Sequence, residues 1–324
     1  MPARMYSIRI PLLSMALALL CAFLAALKLS PRHDFTVSLP PLPAQTSNST
    51  SGRTVRVAAI QCPSQMGRLR ENRVRLTELI TQAAKRGAKI VVLPECAVHG
   101  YFDPLEDLKW TRSTEPDAHE LPASGVAEHV PGTSTRYFGD LARTLGIYLT
   151  VPLVESDRGV YFNSVVLMGP DGKIAARHRK SDLWNEGDSS WATAGVGDAQ
   201  VASTPYGRLG LMICHDYQTL PKQLRGKADI VLYSVGWYGP NTEGWYSDMF
   251  PRQVVVPNDF AVIAANWSAA ASDDLWQGVG YSTIYKADGT IVAMSLRTSG
   301  NDIVYGDLPI PARPTATPVA IDDE

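Results

Sequence analysis

Cysteine is scarce in this chain of 324 residues: only Cys21, Cys62, Cys96 and Cys214 occur, and the first lies in an apolar leader, which excludes a disulfide framework. Charge of one sign is equally lacking. Lys and Arg number 30 against 32 Asp and Glu, a formal net charge of −2, so nothing points to nucleic acid as a partner. The dinucleotide Gly fingerprint, the Walker loop and the His-Glu-x-x-His zinc motif are also missing. What remains open is chemistry at a thiol.

The amino terminus carries Arg4 and Arg9 and then, from Ile10 to Leu27, no charge at all. A secretory apolar region has roughly 7 to 15 residues and a spanning helix about 17 or more, and this run falls on the spanning side. Ala25-Ala26-Leu27 is a poor cleavage site, so residues 1–29 are expected to form one apolar helix acting as an uncleaved signal anchor, with a removed signal peptide as the alternative. The arginines ahead of the span put the remainder on the extracytoplasmic face of a membrane, or in the periplasm or medium if the leader is cut. Residues 30–53 are rich in Pro, Ser and Thr and read as a tether, and residues 311–324 as a flexible acidic tail.

Between them, apolar runs alternate with helical spacing. Val55 to Gln61 reads as a buried strand; Leu69, Leu76, Leu79, Ile80 and Ala83 recur as on one helix face, and Gly87 stops that helix. Ile90 to Leu93 is a second buried strand, parallel to the first after a crossover. Tyr137, Leu141 and Leu145 mark another helix, followed by a strand from Ile147 that ends at Glu155, a hairpin at Arg158-Gly159 and strands over Val160–Met168 and Lys173–Arg177. Leu209 to Ile213 is a short run expected of a strand buried on both faces.

Three of these strands end on reactive groups. Cys214 closes the Leu209–Ile213 run, where polar residues begin, and is the candidate nucleophile, although a lone Cys is as readily a small buried hydrophobe. Glu95 follows the Ile90 strand, where partial desolvation would raise its pKa and suit it to accept a proton. Lys180 closes the basic run Arg177-His178-Arg179-Lys180; beside a thiol, that cation would favour thiolate and later hold an oxyanion. His215 is a poor partner for a Cys-His pair, because adjacent residues of a continuing strand point to opposite faces.

In order and spacing, Val-Val-Leu-Pro-Glu95 with Gly100-Tyr101, Arg-His-Arg-Lys180-Ser-Asp-Leu-Trp184 and Gly-Leu-Met-Ile-Cys214-His-Asp resemble the motifs of the nitrilase, or carbon-nitrogen hydrolase, superfamily. The resemblance spans roughly Thr54 to Pro309, and the domain is taken as 54–310. It implies an α/β fold, a four-layer α-β-β-α sandwich, often paired as a homodimer or higher homo-oligomer, with no metal and no organic cofactor. It assigns Glu95, Lys180 and Cys214 the catalytic roles and Glu155 that of a second carboxylate, orienting Lys180 or a water. The implied reaction is hydrolysis of a linear, non-peptide amide by water through a thioester on Cys214, with the His215 backbone N–H completing the oxyanion site. Nitrile hydrolysis, N-acyl transfer and a catalytically silent binding protein stay open as alternatives. Tyr101, Trp184, His215 and Trp237, with Tyr238, are candidates for substrate contact. After the nucleophile the run His215-Asp216-Tyr217-Gln218 departs from the Pro-Glu pattern of many members, which leaves the substrate undefined.

Overall fold

The computed structural model describes residues 52–63, 65–103, 107–185, 187–197, 199–237, 244–270 and 278–312. The expected leader, the tether as far as Ser51, the tail from Arg313 and Tyr238 lie outside the described residues. Among the described residues no helix is long and apolar enough to cross a membrane.

In chain order the strands are β1 (Thr54–Pro63), β2 (Ile90–Val92), β3 (Lys109–Thr111), β4 (Glu120–Pro122), β5 (Tyr148–Asp157), β6 (Val160–Met168), β7 (Ile174–Arg179) and β8 (Val201–Thr204). They continue as β9 (Gly207–Ile213), β10 (Ile230–Ser234), β11 (Ala261–Ala265), β12 (Trp267–Ser268), β13 (Thr283–Tyr285), β14 (Ile291–Met294) and β15 (Asp302–Pro309). The first sheet has the order β12-β1-β2-β5-β6-β7, with β15 also on β1; the second runs β14-β13-β11-β10-β9-β8. β1, β2 and β5 are mutually parallel, as are β9, β10 and β11. These central strands are the continuous apolar runs of the sequence, as burial on both faces requires.

Alternation along the strands sorts their side chains into layers. Val57, Ala59, Ile90 and Val92 of the first sheet pack against Leu209, Leu211, Ile213, Leu232 and Ile263 of the second, forming the core between the sheets. Ala58, Ile60, Val91, Leu149 and Val151 turn the other way, onto helices α1 (Leu69–Lys85) and α2 (Thr133–Leu145). Met212, Val231, Tyr233 and Val262 face α3 (Leu220–Leu224) and the helical stretch that holds Val254 and Val255. The order of layers is therefore helix, sheet, sheet, helix.

Most of the expected elements appear, with shifts that tertiary packing explains. On α2 the residues fully buried are Ser134, Thr135, Phe138, Gly139 and Ala142, one position on from Tyr137 and Leu141. This face turns inward with Gly139 against the turn between β6 and β7: a Cβ there would come within 2.7 Å of the Gly172 carbonyl oxygen. β5 runs past Glu155 to Asp157, and the Arg158-Gly159 turn has positive φ at both positions (51° and 79°), the geometry of a tight two-residue hairpin.

Candidate active site

Glu95 lies in the turn after β2, and Lys180 directly after β7, both at the same end of the first sheet. Both are wholly buried. Lys180 Nζ donates to Glu95 Oε1 at 2.8 Å and to Asp188 Oδ2 at 2.6 Å. Asp188 also accepts from Tyr101 Oη at 2.9 Å, Asn163 Nδ2 at 3.1 Å and the Trp184 N–H at 2.9 Å. A second bond from Asn163 Nδ2 reaches Glu95 Oε1 at 2.7 Å. Glu95 is anchored by its backbone to both sheets: its N–H donates to the Val235 carbonyl, and its carbonyl accepts from Trp267 Nε1 at 2.9 Å. Its second oxygen, Oε2, is buried and accepts nothing.

Cys214 comes from the second sheet. The chain leaves β9 at Ile213 and enters a short helical turn over Cys214–Gln218, with Cys214 itself at φ 36°, in the left-handed region that non-glycine residues enter at a cost. That turn sets the thiol off the strand line, half-buried, with the Gly236 N–H donating to its sulfur. Two groups brace it. Tyr233 Oη donates to the Cys214 carbonyl at 2.7 Å, and the buried Asp216 accepts from the Ile213 N–H at 3.1 Å and from the Ser181 and Asp182 N–H groups at 2.9 Å each. Asp216 thus ties the turn carrying the thiol to the residues that follow Lys180. Gly236 is needed for the approach: a Cβ there would stand 2.3 Å from Glu95 Oε2.

Electrostatics follow from burial. Burial and then the charge of Glu95 push the Cys214 thiol well up, with Lys180 pulling only partly back. Burial also raises Glu95; Lys180 opposes the rise and Asp188 adds to it. Burial disfavours the Lys180 ammonium, but Asp188 and Glu95 outweigh it and hold Lys180 charged, well above its ordinary value. Two carboxylates around one ammonium leave the buried group one proton short of neutrality, which makes Glu95 the natural acceptor.

Glu155 does not reach Lys180, one of the two contacts expected of it. Its carboxylate accepts from Ser164 Oγ at 2.6 Å, from Arg177 Nη1 at 3.1 Å and from Arg179. Strand parity is the reason. On β7 Ala176 and His178 face the second sheet, His178 Nε2 reaching Asp216 at 2.7 Å, and Lys180 follows in that phase; Arg177 and Arg179 face the other way, with Glu155. The second carboxylate on Lys180 is instead Asp188, in the irregular segment between β7 and β8, where no periodicity marks it.

The substrate candidates separate. Tyr101 is 2 % exposed and serves as a support, bonding Asp188 and lying with its ring centroid 5.8 Å from Lys180 Nζ. Trp184 holds Asp188 through its backbone and packs, partly buried, on the cluster around Trp110 and Trp191. His215 leaves the strand and meets Asp182 at 3.0 Å and Gln218 at 2.6 Å near the surface. Trp237 follows Gly236 and stacks on Trp245, with ring centroids 5.3 Å apart. Cys62 and Cys96 are free buried thiols, and burial pushes Cys62 up to about 11, away from reactivity. Among the described residues no group of three His, Cys, Asp or Glu side chains could hold a metal ion.

A profile of the family described as carbon-nitrogen hydrolase matches residues 56–313. The chain belongs to that family, and with it to the nitrilase superfamily. It is 30% identical over 270 residues to the Bos taurus protein named omega-amidase NIT2, covering 79% of this chain and 88% of that one, and 30% identical over 252 residues to the Homo sapiens omega-amidase NIT2, covering 74% and 83%. Its fold is similar to that of a crystallised amidase from Nesterenkonia sp., with a TM-score of 0.65 at 19% identity, covering 80% of this chain and 91% of that one. A further structure of that amidase, with a TM-score of 0.65 at 18% identity and covering 84% and 94%, shows covalent addition of the acetamide moiety of fluoroacetamide at its active site cysteine.

Proposed function

We propose that this amidase-type carbon-nitrogen hydrolase cleaves a linear amide through a thioester on Cys214, with Glu95 as the proton carrier and Lys180 as the oxyanion cation. The observation that carries the reading is the one unbonded oxygen of Glu95, buried in a group whose other carboxylate oxygens each accept two hydrogen bonds. Glu95 takes the thiol proton through Oε2 as sulfur attacks the carbonyl carbon. The oxyanion forms against Lys180 Nζ and a backbone N–H at the start of the Cys214–Gln218 turn, where N–H groups lack partners within the turn. Glu95 then gives its proton to the leaving nitrogen, so that ammonia or an amine departs and the acyl group stays on sulfur. In the second half Glu95 deprotonates water, the resulting hydroxide attacks the thioester, and the acid leaves as the thiol is restored. Asp188 keeps Lys180 charged and aimed throughout, the role expected of Glu155.

The leader and tether fit an enzyme held outside the cytoplasm at a membrane surface, and pairing of two copies fits the family resemblance; both belong to this proposal.

Intact-protein mass spectrometry during turnover of short amides tests the chemistry. Wild type should gain the mass of the acyl group on Cys214 and release ammonia, while Cys214→Ala should do neither. Glu95→Gln should lower acylation by about 10²-fold or more. Turnover by Cys214→Ala at the wild-type rate would sink the assignment.

A further inference from the structure

Two neighbouring side chains beside the nucleophile carry buried donors with no acceptor: Trp245 Nε1 and Tyr246 Oη. Tyr246 is 0 % exposed, its backbone carbonyl is fixed by Tyr285 Oη at 2.7 Å, and its hydroxyl lies within electrostatic reach of Cys214, Glu95 and Tyr217. Trp245 meets Tyr217 at 5.2 Å and stacks on Trp237 at 5.3 Å, and Tyr217 lies 5.9 Å from Trp237. These three partly buried rings are tied to the thiol through the chain: Tyr217 sits in its helical turn, and Trp237 follows the Gly236 whose N–H bonds the sulfur.

A buried donor left without a partner costs about 1–3 kcal/mol, and folded proteins keep few of them. Two on adjacent residues, against an aromatic wall and beside a nucleophile, are positions a substrate acceptor would fill. The charged groups that act on Cys214 bear on the kind of acceptor. Lys180 is already paired with Glu95 and Asp188, and Tyr246, Trp245, Tyr217 and Trp237 are uncharged, so these residues offer a carboxylate no counter-ion.

Given the amide hydrolysis proposed above, we infer that Tyr246 and Trp245, with Tyr217 and Trp237 as the wall, form the acyl-group subsite and select acyl chains carrying a neutral oxygen acceptor such as a ketone, ether or hydroxyl. A substrate entering over the partly exposed Cys214 and Trp237 presents that oxygen to the Tyr246 hydroxyl. An analogue of the same shape without it leaves the hydroxyl buried and unpaired, the situation in which discrimination is largest.

The test compares three amides whose acyl ends have nearly one shape: levulinamide with a ketone, isocaproamide with a branched alkyl group, and succinamate with a carboxylate. In the purified full chain, kcat/KM for levulinamide should exceed that for isocaproamide by about tenfold or more, and succinamate should also fall below levulinamide. Tyr246→Phe should bring the levulinamide to isocaproamide ratio to within about threefold of one, mainly by losing levulinamide. Equal rates in wild type, or a ratio unmoved in both Tyr246→Phe and Trp245→Phe, overturn the subsite. Calorimetric binding of the same amides to Cys214→Ala separates the two readings. The same order in Kd without wild-type turnover keeps the subsite and sinks the hydrolysis, whereas no preference in Kd overturns the subsite.

Discussion

At Asp188 the chain places a carboxylate that is fully buried yet accepts four hydrogen bonds, one of them from the ammonium of Lys180. The negative charge of Asp188 adds to the rise of Glu95, after burial and against the pull of Lys180. In the mechanism proposed above Glu95 works as a base in its ionised form, so kcat/KM should fall as pH drops through a value above the ordinary glutamate figure of about 4.3. Asp188→Asn removes a charge that raises Glu95, so the acid limb should move to lower pH. It also frees Lys180 from its second anchor, so kcat should drop by about 10²-fold. A pH–rate profile checks both, and an acid limb that stays or moves up contradicts the placement. Glu95 and Cys214 were legible in the sequence because each ends an apolar run, and Lys180 because it closes a basic run in a motif that resembles the family's. Asp188 was not, since it lies in an irregular segment and only the folded chain selects it from the neighbouring acids. Glu155 shows the opposite error: the sequence suggests a strand ending there, but β5 continues to Asp157, and the parity of β5 against β7 turns Glu155 to the arginines.

One scale up, the site depends on how the Cys214–Gln218 turn is fastened to the Lys180 segment. Asp216 does this with five acceptor bonds, among them His178 Nε2 at 2.7 Å and Ser181 Oγ at 3.0 Å. Burial alone would raise its carboxyl, but the bond and charge of His178 and the Asp182 N–H outweigh burial and leave it lowered. A lowered folded value means the stabilisation is present above the unfolded carboxyl's value of about 3.9 and is lost as pH falls through the folded one. Asp216→Ala should cost about 3–5 kcal/mol, since it strands a buried network. At about 2–4 °C per kcal/mol the melting temperature should fall by about 10 °C at neutral pH, with the gap to wild type closing below about pH 4. Calorimetry across pH reads this directly; a gap that widens on acidification would contradict it. The sequence showed β9 stopping at Cys214 but had His215 continuing the strand line. The left-handed φ at Cys214 redirects the chain, so His215 reaches Asp182 and Gln218 near the surface.

For the whole molecule, the decisive fact is that the site is assembled from two sheets. Glu95, Asn163 and Lys180 come from the first, and Cys214 and Gly236 from the second, so nothing local in either half makes an active group. The proposed anchor is tested at this scale too. Full-length protein expressed with residues 1–29 should sediment with membranes and resist high-salt washing, and deletion of 1–29 should release active enzyme. A soluble full-length chain whose intact mass still includes the leader would refute the anchor.

The sequence by itself determined the alternation of strands and helices, the family, and the three chemical groups at strand ends. These are local matters, since apolar periodicity and turn residues report how each segment buries itself. Tertiary structure alone decided the rest. Which carboxylate holds Lys180, which way Glu155 turns, why residue 236 must lack a side chain and which donors near the thiol are left open all depend on atoms brought together from distant parts of the chain. Side-chain direction across two packed sheets is fixed by strand parity and close packing between segments, and no single segment carries that information.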